Sequence, residues 1–398
     1  MTDDILDKIF KSAVSNSPIF RDKRVLYHDY IPDKLPFRDH EIARLGRLIS
    51  PIIRREKSSN VFIYGKPGTG KTAVTKYVLK RLSDFLVSNN VEAYVTYVNC
   101  RLAGTEYRVI LKIGSDIGIS LPFTGLSVEE ALSRIQTRIF ENPRPLIIVL
   151  DEIDVLVTRY GDQLLYFLTR SDYNDRYVPY MIIGISNDLR FKENLDPRVL
   201  SSLSEEELVF KPYTASELEV ILRDRVRVGF QEKVVDDASI RLAAAFSASE
   251  HGDARKALDI IRVAGEIAEE KGDNRVTEDH VREAYKRIDI EKTHEVVRTL
   301  PLHSKLILIS LVRQGDGNIQ SSKLYSYYSQ MCKMIGEEPL SYRRFYSLIS
   351  ELSIMGLVTR RIYNFGRKGG RTSSVRLNID YKDIIDTLKD DPLLEGLL

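Results

Sequence analysis

The chain has 398 residues, of which 43% are hydrophobic and 29% are charged, a balance typical of a globular protein with two or three domains. Its net charge is only +2, so any basic surface that binds nucleic acid must be local. The two cysteines, Cys100 and Cys332, lie far apart, which predicts a reducing compartment without disulfides or structural zinc. The acidic N-terminus and the short apolar runs predict neither a secretory signal nor a membrane span.

Three regions follow one another along the chain. Residues 1–212 alternate apolar runs with amphipathic stretches, which predicts an α/β domain with a parallel sheet. Residues 213–294 have no strand-like run and predict a small helical domain that opens with a capping box at Thr214. Residues 295–398 read as three helices and a β-hairpin, the order of a winged helix. The predicted strands of the first region are 60–64, 93–99, 145–150, 179–185 and 205–210.

A glycine-rich loop of the form GxxxxGK[ST] lies between the first predicted strand and a helix. Such a loop turns its backbone N–H groups towards the phosphates of a nucleotide. Lys71 would reach the β- and γ-phosphates, and the Thr72 hydroxyl would hold Mg²⁺. The predicted nucleotide-binding residues here are Gly65, Lys66, Pro67, Gly68, Thr69, Gly70, Lys71, Thr72 and Ala73.

Two acids follow the aliphatic run at residues 146–150, which reads as a strand buried on both faces. They would emerge at the carboxyl edge of the sheet, where ligands bind in open α/β folds. Asp151 is the predicted second Mg²⁺ ligand, and Glu152 is the predicted base that orients and deprotonates the attacking water.

Three further polar residues are candidates for the same site. Asn187 follows a buried-type strand and would hold the water or the γ-phosphate, although a turn-capping role explains it equally well. Asp253 reads as an N-cap, which places Arg255 in a first helical turn, where a cation calls for a nearby anion. The alternative for Arg255 is a surface pair with Asp253. Arg198 begins a short predicted helix and would be an arginine finger for a neighbour's nucleotide.

The C-terminal region concentrates positive charge. Residues 341–376 contain eight basic residues and one acid, a local charge of +7. The helix at 341–355 has an apolar stripe formed by Phe345, Leu348, Ile349, Leu352 and Met355. Arg343 and Arg344 lie off this stripe and would enter the major groove of DNA, while Arg367, Lys368 and Arg371 at the hairpin tip would follow phosphates. The alternative is a winged helix that binds protein.

The segments GKPGTGKT, LIIVLDE, IGISN, LDPRVLSSL and GDARKAL, in that order, resemble those of AAA+ ATPases. More narrowly, the chain resembles the archaeal replication initiators related to the eukaryotic origin recognition complex subunit one and cell-division-cycle six proteins. The resemblance extends from about residue 20 to the end of the chain. The stretch at 30–41 is similar to the adenine-pocket segment of that family.

The resemblance implies a role for individual residues. Asn187 and Arg255 would be the first and second nucleotide sensors, with Arg255 carried by a helical lid, and Arg198 would be the finger. Tyr213 and Arg225 would be further nucleotide contacts, although a hinge-packing aromatic and a solvated arginine are the simpler explanations. The implied catalytic set is Lys71, Asp151, Glu152, Asn187, Arg198 and Arg255.

The resemblance also implies cofactors and partners. ATP or ADP with Mg²⁺ would act as a switch with slow turnover. Arg101, Arg108 and Lys112, on a helical insertion after the second strand, would contact DNA, although ordinary solvated charges fit them equally well. The partners would be double-stranded origin DNA, a replicative helicase of the minichromosome maintenance type and other initiator paralogues. No membrane partner is expected, and the location would be cytoplasmic and nucleoid-associated.

Three other functions remain open at this point. A hexameric branch-migration motor also joins an AAA+ ATPase to a winged helix, and a nucleotide-switched transcription regulator would bind promoters. A non-catalytic scaffold would retain ATP for stability alone, which the presence of Glu152 argues against.

Overall fold

A computed structural model describes residues 17–56, 58–169, 180–203, 205–315, 317–364, 371–389 and 391–397. The chain divides into two compact units, residues 1–282 and 283–398. The parallel sheet and the helices up to residue 282 belong to the first unit, and the winged helix belongs to the second. The domain boundaries at 212 and 294 stay predictions. Among the described residues, no helix is both long enough and apolar enough to cross a membrane.

The first unit is built on a parallel sheet of five strands in the order β2-β3-β4-β1-β5. Each predicted strand is confirmed to within a residue or two. Every residue of β3 is buried, as its aliphatic sequence predicts for a central parallel strand. The strands are β1 (Asn60–Gly65), β2 (Tyr94–Asn99), β3 (Leu146–Asp151), β4 (Tyr180–Ser186) and β5 (Glu205–Phe210).

Helices cover both faces of this sheet. Alternate residues of β1 point to opposite sides, so that Ile63 packs in one hydrophobic core and Phe62 in the other. The first core contains α1 (Asp39–Ile53) and α2 (Lys71–Ser88), and the second contains most of the helices that follow β2 and β3. Those helices are α3 (Cys100–Ala103), α4 (Glu106–Asp116), α5 (Val128–Glu141), α6 (Ile153–Tyr160), α7 (Gln163–Thr169) and, after β4, α8 (Pro197–Leu203).

Strand β5 is one edge of the sheet and begins with consecutive glutamates. The Glu206 carboxylate lies 3.3 Å from Arg44, and the Glu207 carboxylate lies 2.6 Å from Lys192. These charged side chains flank a strand that pairs only with β1 among the residues that the structure describes.

The helical part of the first unit contains α9 (Ala215–Gly229), α10 (Asp237–Glu250) and α11 (Ala254–Lys271). The predicted capping box at Thr214 is confirmed, with reciprocal bonds to Glu217. The next helix, α12 (Glu278–Thr299), begins where predicted but continues past residue 290, because no glycine or proline interrupts it before Pro301.

The second unit is a winged helix. Its sheet is antiparallel, in the order β6-β8-β7, and β7 pairs with β8 along seven residues. Four of the five residues predicted for the apolar stripe of α15 (Tyr342–Ile354) are buried, whereas Met355, the C-cap residue that follows the helix, is 52% exposed. The elements are α13 (Leu302–Val312), β6 (Ile319–Gln320), α14 (Ser321–Met334), α15 (Tyr342–Ile354), β7 (Val358–Asn364), β8 (Arg371–Leu377) and α16 (Tyr381–Leu388).

Gly184 lies in the middle of β4, where a Cβ atom would come within 2.5 Å of the Phe62 ring. We expect Gly184→Ala to lower the free energy of unfolding by about 1–3 kcal/mol, because the ring has to move within a closely packed core. Gly46→Ala is the matched control, since a Cβ there meets nothing within 4 Å. It should stabilise α1 by about 0.5–1 kcal/mol. Chemical denaturation measures both, and equal changes would contradict the packing described for β4.

Candidate nucleotide site

The glycine-rich loop joins the carboxyl end of β1 to the start of α2. Gly68 and Gly70 have φ values of +71° and +92°, which glycine adopts without strain. Gly70 is the N-cap of α2 and, as a glycine, has no side chain to bond the first amides of that helix. An 18-residue helix therefore presents its N-terminus to the space above the loop, an arrangement suited to a phosphate.

Lys71 is 5% exposed, and its ammonium group uses all three of its donors. It donates to the carbonyls of Gly65 and Lys66 at 2.6 and 2.9 Å and to Oδ1 of Asn187 at 2.8 Å. Burial and, after it, the charge of Arg255 lower the pKa of Lys71 to about 8. Lys71, predicted from the glycine-rich loop, and Asn187, predicted from the end of a distant strand, are thus in direct contact.

Asp151 lies beside Thr72 at the end of β3. The Thr72 hydroxyl donates to Asp151 Oδ2 at 2.9 Å, and the backbone N–H of Glu152 donates to Oδ1 at 2.9 Å. The Tyr97 hydroxyl, on β2, also bonds Oδ2. Burial and the Asp151 charge raise the pKa of Tyr97, so this phenol remains a hydrogen-bond donor. Asp151 is 3% exposed and is held from three directions.

Glu152 adopts a left-handed backbone conformation with φ of +54°, which is uncommon for a residue with a side chain. Its carboxylate lies 2.5 Å from Nε of Arg101, an ion pair that lacks hydrogen-bond geometry, since Glu152 Oε2 has no hydrogen-bond partner among the described residues. The predicted base is therefore in contact with a residue predicted to bind DNA.

A small polar cavity brings most of the predicted residues together. Asn187 and the lid residue Arg255 both face it, although they are far apart in sequence. Arg255 is exposed and makes no ion pair within the part of the chain that the structure describes, so the surface pair with Asp253 is not formed. The cavity is lined by Gly68, Thr69, Gly70, Lys71, Thr72, Asp151, Glu152, Asn187 and Arg255.

The helical part of the first unit, α9 to α11, is the lid, and it contacts the glycine-rich loop directly. Asp253 caps α11, accepting from the amides of Arg255 and Lys256 at 2.8 and 3.3 Å. The first amide of the helix, that of Ala254, donates to the Gly68 carbonyl at 3.1 Å. The Asp253 carboxylate lies so close to the Gly68 α-carbon that a Cβ there would fall 1.6 Å from it. The start of α11 and the phosphate loop are thus packed against each other.

A larger cavity of about 590 Å³ adjoins the loop and extends under the lid. Residues 27–36, Tyr213 and Arg225 line it, so that residues 30–36 of the segment similar to an adenine pocket face this cavity. Tyr213 is 6% exposed. Arg225 lies 4.8 Å from the centre of the Tyr30 ring, and its Nη1 is buried without a hydrogen-bond partner among the described residues. Burial lowers the pKa of Arg225.

Other predicted residues lie elsewhere. Arg198 is exposed on α8, where Asp196 accepts two hydrogen bonds from it at 3.0 and 3.1 Å, and it lines neither cavity. On the insertion, Lys112 is paired with Asp116 at 2.6 Å, whereas Arg108 is exposed. Arg367 and Lys368 lie outside the described residues, as does the side chain of Arg371.

Two residues at this site are absent from the predicted set. Tyr97 holds Asp151, and its position on β2 opposite β3 is the only sequence signal for it. Arg38, within the segment at 30–41, is 4% exposed and donates to the Thr69 carbonyl of the loop at 2.9 and 3.1 Å. A buried arginine has to be paired, but the sequence does not show with what.

Family comparisons agree with this architecture. Residues 34–183 match the model of an AAA ATPase domain, residues 219–286 that of a Cdc6 AAA+ ATPase-type lid domain, and residues 295–387 that of a CDC6 C-terminal winged helix domain. The fold and the site thus define an AAA+ ATPase with a helical lid and a winged-helix domain.

The similarity to full-length relatives narrows this class. The chain is 44% identical to ORC1-type DNA replication protein 1 of Sulfurisphaera tokodaii over 97% of its own length and 96% of that protein. It is also 44% identical to the ORC1-type DNA replication protein of Thermococcus onnurineus, over 100% and 97% of the two chains. The chain belongs to the ORC1-type DNA replication proteins.

A solved structure shows the same similarity. The structure of the Aeropyrum pernix ORC1 protein in complex with DNA matches with a TM-score of 0.84 and 44% identity, and the match covers 96% of this chain and 100% of that one. The three-part arrangement expected from the sequence is therefore confirmed as the fold class.

Gly68 tests the contact between loop and lid. We expect Gly68→Ala to lower the free energy of unfolding by about 1–3 kcal/mol more than Gly104→Ala. Both glycines have a positive φ, +71° and +77°, but a Cβ at Gly104 meets nothing within 4 Å. The difference between the two variants therefore isolates the clash with Asp253. Chemical denaturation measures it, and an equal loss in both would show that the lid does not lie against the loop.

Proposed function

We propose that this chain is an ATP-dependent initiator of DNA replication. In this proposal it binds origin duplex DNA through the winged helix and the helical insertion, and it recruits or loads the replicative helicase. The observation that carries the proposal is the cavity at the N-terminus of α2, which Lys71 of the loop and Arg255 of the lid both line. Two cations and the positive end of a helix favour an anion such as a phosphate, and the carboxylates of Asp151 and Glu152, which line the same cavity, favour a cation beside it.

A nucleotide polyphosphate fits this cavity. Its phosphates would lie over the N-terminus of α2, within reach of Lys71 and Arg255. Its base and ribose would occupy the adjoining cavity of about 590 Å³, beside Tyr213 and Arg225. The family to which the chain belongs supports this placement, and in this proposal Asn187 acts as a sensor of the γ-phosphate.

The residues present also fit a magnesium ion. Hydroxyl and carboxylate oxygens are the ligands that Mg²⁺ prefers, and Thr72 Oγ1 and Asp151 Oδ2 lie 2.9 Å apart. When bound, Mg²⁺ neutralises charge on the β- and γ-phosphates. Tyr97 and the amide of Glu152 keep the Asp151 carboxylate oriented towards that position.

Glu152 would orient the attacking water and accept its proton. The carboxylate is now in contact with Arg101, so that it is not free to take up this role without a change in that pair. This agrees with slow turnover and with a nucleotide that acts as a switch. Arg198 lies outside both cavities of its own chain and would serve only the nucleotide of a neighbouring subunit.

The switch would work through the contact of the lid with the loop. A γ-phosphate that contacts Asn187 and Arg255 unequally in two lid positions biases the equilibrium between them. Hydrolysis removes that contact, and the lid would change its angle to the sheet.

The winged helix supplies a surface that suits duplex DNA. On α15, Arg343 and Arg344 are exposed, and Arg344 is paired only loosely with Glu351 at 3.5 Å. Arg360, from β7, lies 4.9 Å from the centre of the Tyr346 ring and donates to Ser350 at 2.5 Å. These contacts hold the β7–β8 hairpin, the wing, against α15. The Aeropyrum pernix relative was solved in complex with DNA, which supports the same ligand here.

The helical insertion would make a second contact. Leu102 and Phe123 are 83% and 88% exposed, and both lie near its predicted basic residues in the sequence. Proteins that bind the minor groove frequently insert apolar side chains between base steps, which is the role proposed for Leu102 and Phe123. Arg101 and Arg108 would bind the adjacent phosphates, while Lys112 would first have to leave Asp116.

The remaining partners follow from the proposed role. An initiator acts on the nucleoid, meets a helicase of the minichromosome maintenance type and works beside its paralogues. Nuclease footprinting across the source genome, with ATP or ADP, tests this proposal. Protection confined to replication origins supports it, whereas protection at promoters or at branched junctions would favour a regulator or a motor.

Glu152→Gln removes the proposed base and keeps the size of the side chain. We expect ATP turnover to fall by roughly 100-fold or more while ATP binding persists, because general-base catalysis typically contributes that much. Glu141→Gln, an exposed residue at the end of α5, is the control. Phosphate release and filter binding measure the two quantities, and unchanged turnover in Glu152→Gln would remove Glu152 from the mechanism.

Arg343→Ala tests the DNA contact. We expect the slope of log K against log salt to become shallower by about 1, because one phosphate contact is lost. Arg241→Ala removes the same charge from an exposed position on α10 and should leave the slope unchanged. Fluorescence anisotropy with an origin duplex at several salt concentrations measures this slope. Identical slopes in both variants and the unmodified protein would place DNA elsewhere.

A further inference from the structure

Arg38 is a charged residue buried between the phosphate loop and the junction of sheet and lid. Its guanidinium group is used on every side. Nε and Nη2 donate to the Thr69 carbonyl at 3.1 and 2.9 Å, and Nη2 also donates to the Lys211 carbonyl at 2.8 Å. Nη1 donates to the Phe37 carbonyl at 3.2 Å and lies 3.6 Å from the Glu41 carboxylate.

The peptide that Arg38 holds is the one that precedes Gly70. In a planar trans peptide the carbonyl and the next N–H point in opposite directions. Arg38 holds the Thr69 carbonyl away from the cavities, so the Gly70 N–H of the same peptide points towards the cavities that Gly70 lines. Gly70 has φ of +92°, so without this anchor the peptide has other orientations available to it.

The same guanidinium reaches the lid junction. Its Cζ atom lies 3.9 Å from the centre of the Tyr213 ring, and the Tyr213 hydroxyl would lie 2.8 Å from a Cβ on Gly70. Tyr213 in turn contacts Gly252, the residue before the cap of α11, whose carbonyl accepts from the Tyr213 amide at 3.3 Å. One side chain therefore joins the loop, the end of β5 and the turn that carries Arg255.

We propose that Arg38 is a positioning residue for phosphate recognition. It holds the Gly70 N–H towards the β-phosphate of a nucleotide and ties that orientation to the strand that leads into the lid. It does not touch the nucleotide itself. Lysine cannot replace it, because one ammonium group cannot bond two carbonyls in a fixed fork and stack on a ring at the same time.

The test compares ligands that differ in their phosphates, and it rests on the proposed nucleotide site. Calorimetry would measure the binding of ADP and of adenosine to the full chain and to Arg38→Lys. We expect ADP to bind roughly 10- to 100-fold more weakly to the variant, because one recognition amide is misplaced, and adenosine to bind equally. Arg44→Lys, on the helix that follows Arg38 and paired with Glu206 at the surface, is the control and should change neither.

The outcomes separate the two proposals. If the unmodified chain fails to bind ADP, the proposed nucleotide site is wrong. If Arg38→Lys binds ADP normally, or loses ADP and adenosine to the same extent, the positioning role is overturned. Should Arg38→Lys melt below the assay temperature, Glu41→Gln removes the ion pair that holds Nη1 and lines neither cavity. It should weaken ADP binding about 3-fold without affecting adenosine, and equal binding of ADP would overturn the proposal in the same way.

Discussion

A loop that points its amides at an anion must point its carbonyls elsewhere, and buried carbonyls need donors. This constraint organises the centre of the first unit. The Lys71 ammonium takes the first two carbonyls of the loop. The Ala254 amide takes that of Gly68, and Arg38 takes that of Thr69. The donors thus come from three separate parts of the chain, and each of them has to be in place before the loop has the shape that a phosphate requires.

The nucleotide site is for this reason not a property of the loop alone. The lid supplies one donor through the first amide of α11, so any movement of the lid changes what the Gly68 carbonyl contacts. The segment before α1 supplies another through Arg38. A ligand that prefers one arrangement of the loop therefore prefers one arrangement of the lid as well, so that its binding would shift the equilibrium between lid positions.

Local sequence predicts the parts of the site that belong to one element. The strand at 146–150 can be predicted from its aliphatic run, and the loop from its glycines. Both predictions are possible because hydrophobic periodicity and the backbone φ that glycine allows are properties of the local sequence. Contacts between elements do not follow in this way. Three contacts at the site depend on the order of the strands and on the packing of segments far apart in sequence. They are the hydrogen bond of Tyr97 to Asp151, those of Arg38 to the Thr69 carbonyl, and the ion pair of Arg101 with Glu152. Periodicity places Met355 on the apolar stripe, but this residue follows the end of the helix and is exposed, because periodicity does not determine where a helix ends.

The glutamates of β5 have a consequence for how the protein behaves when many copies gather. An edge strand with unpaired backbone groups is a template on which another chain can add a strand, and local crowding favours that reaction. Glu206 and Glu207, held by Arg44 and Lys192, place charge along the edge of this sheet. These charges oppose the addition of a strand from another copy of the chain, and so act against the joining of sheets into an aggregate.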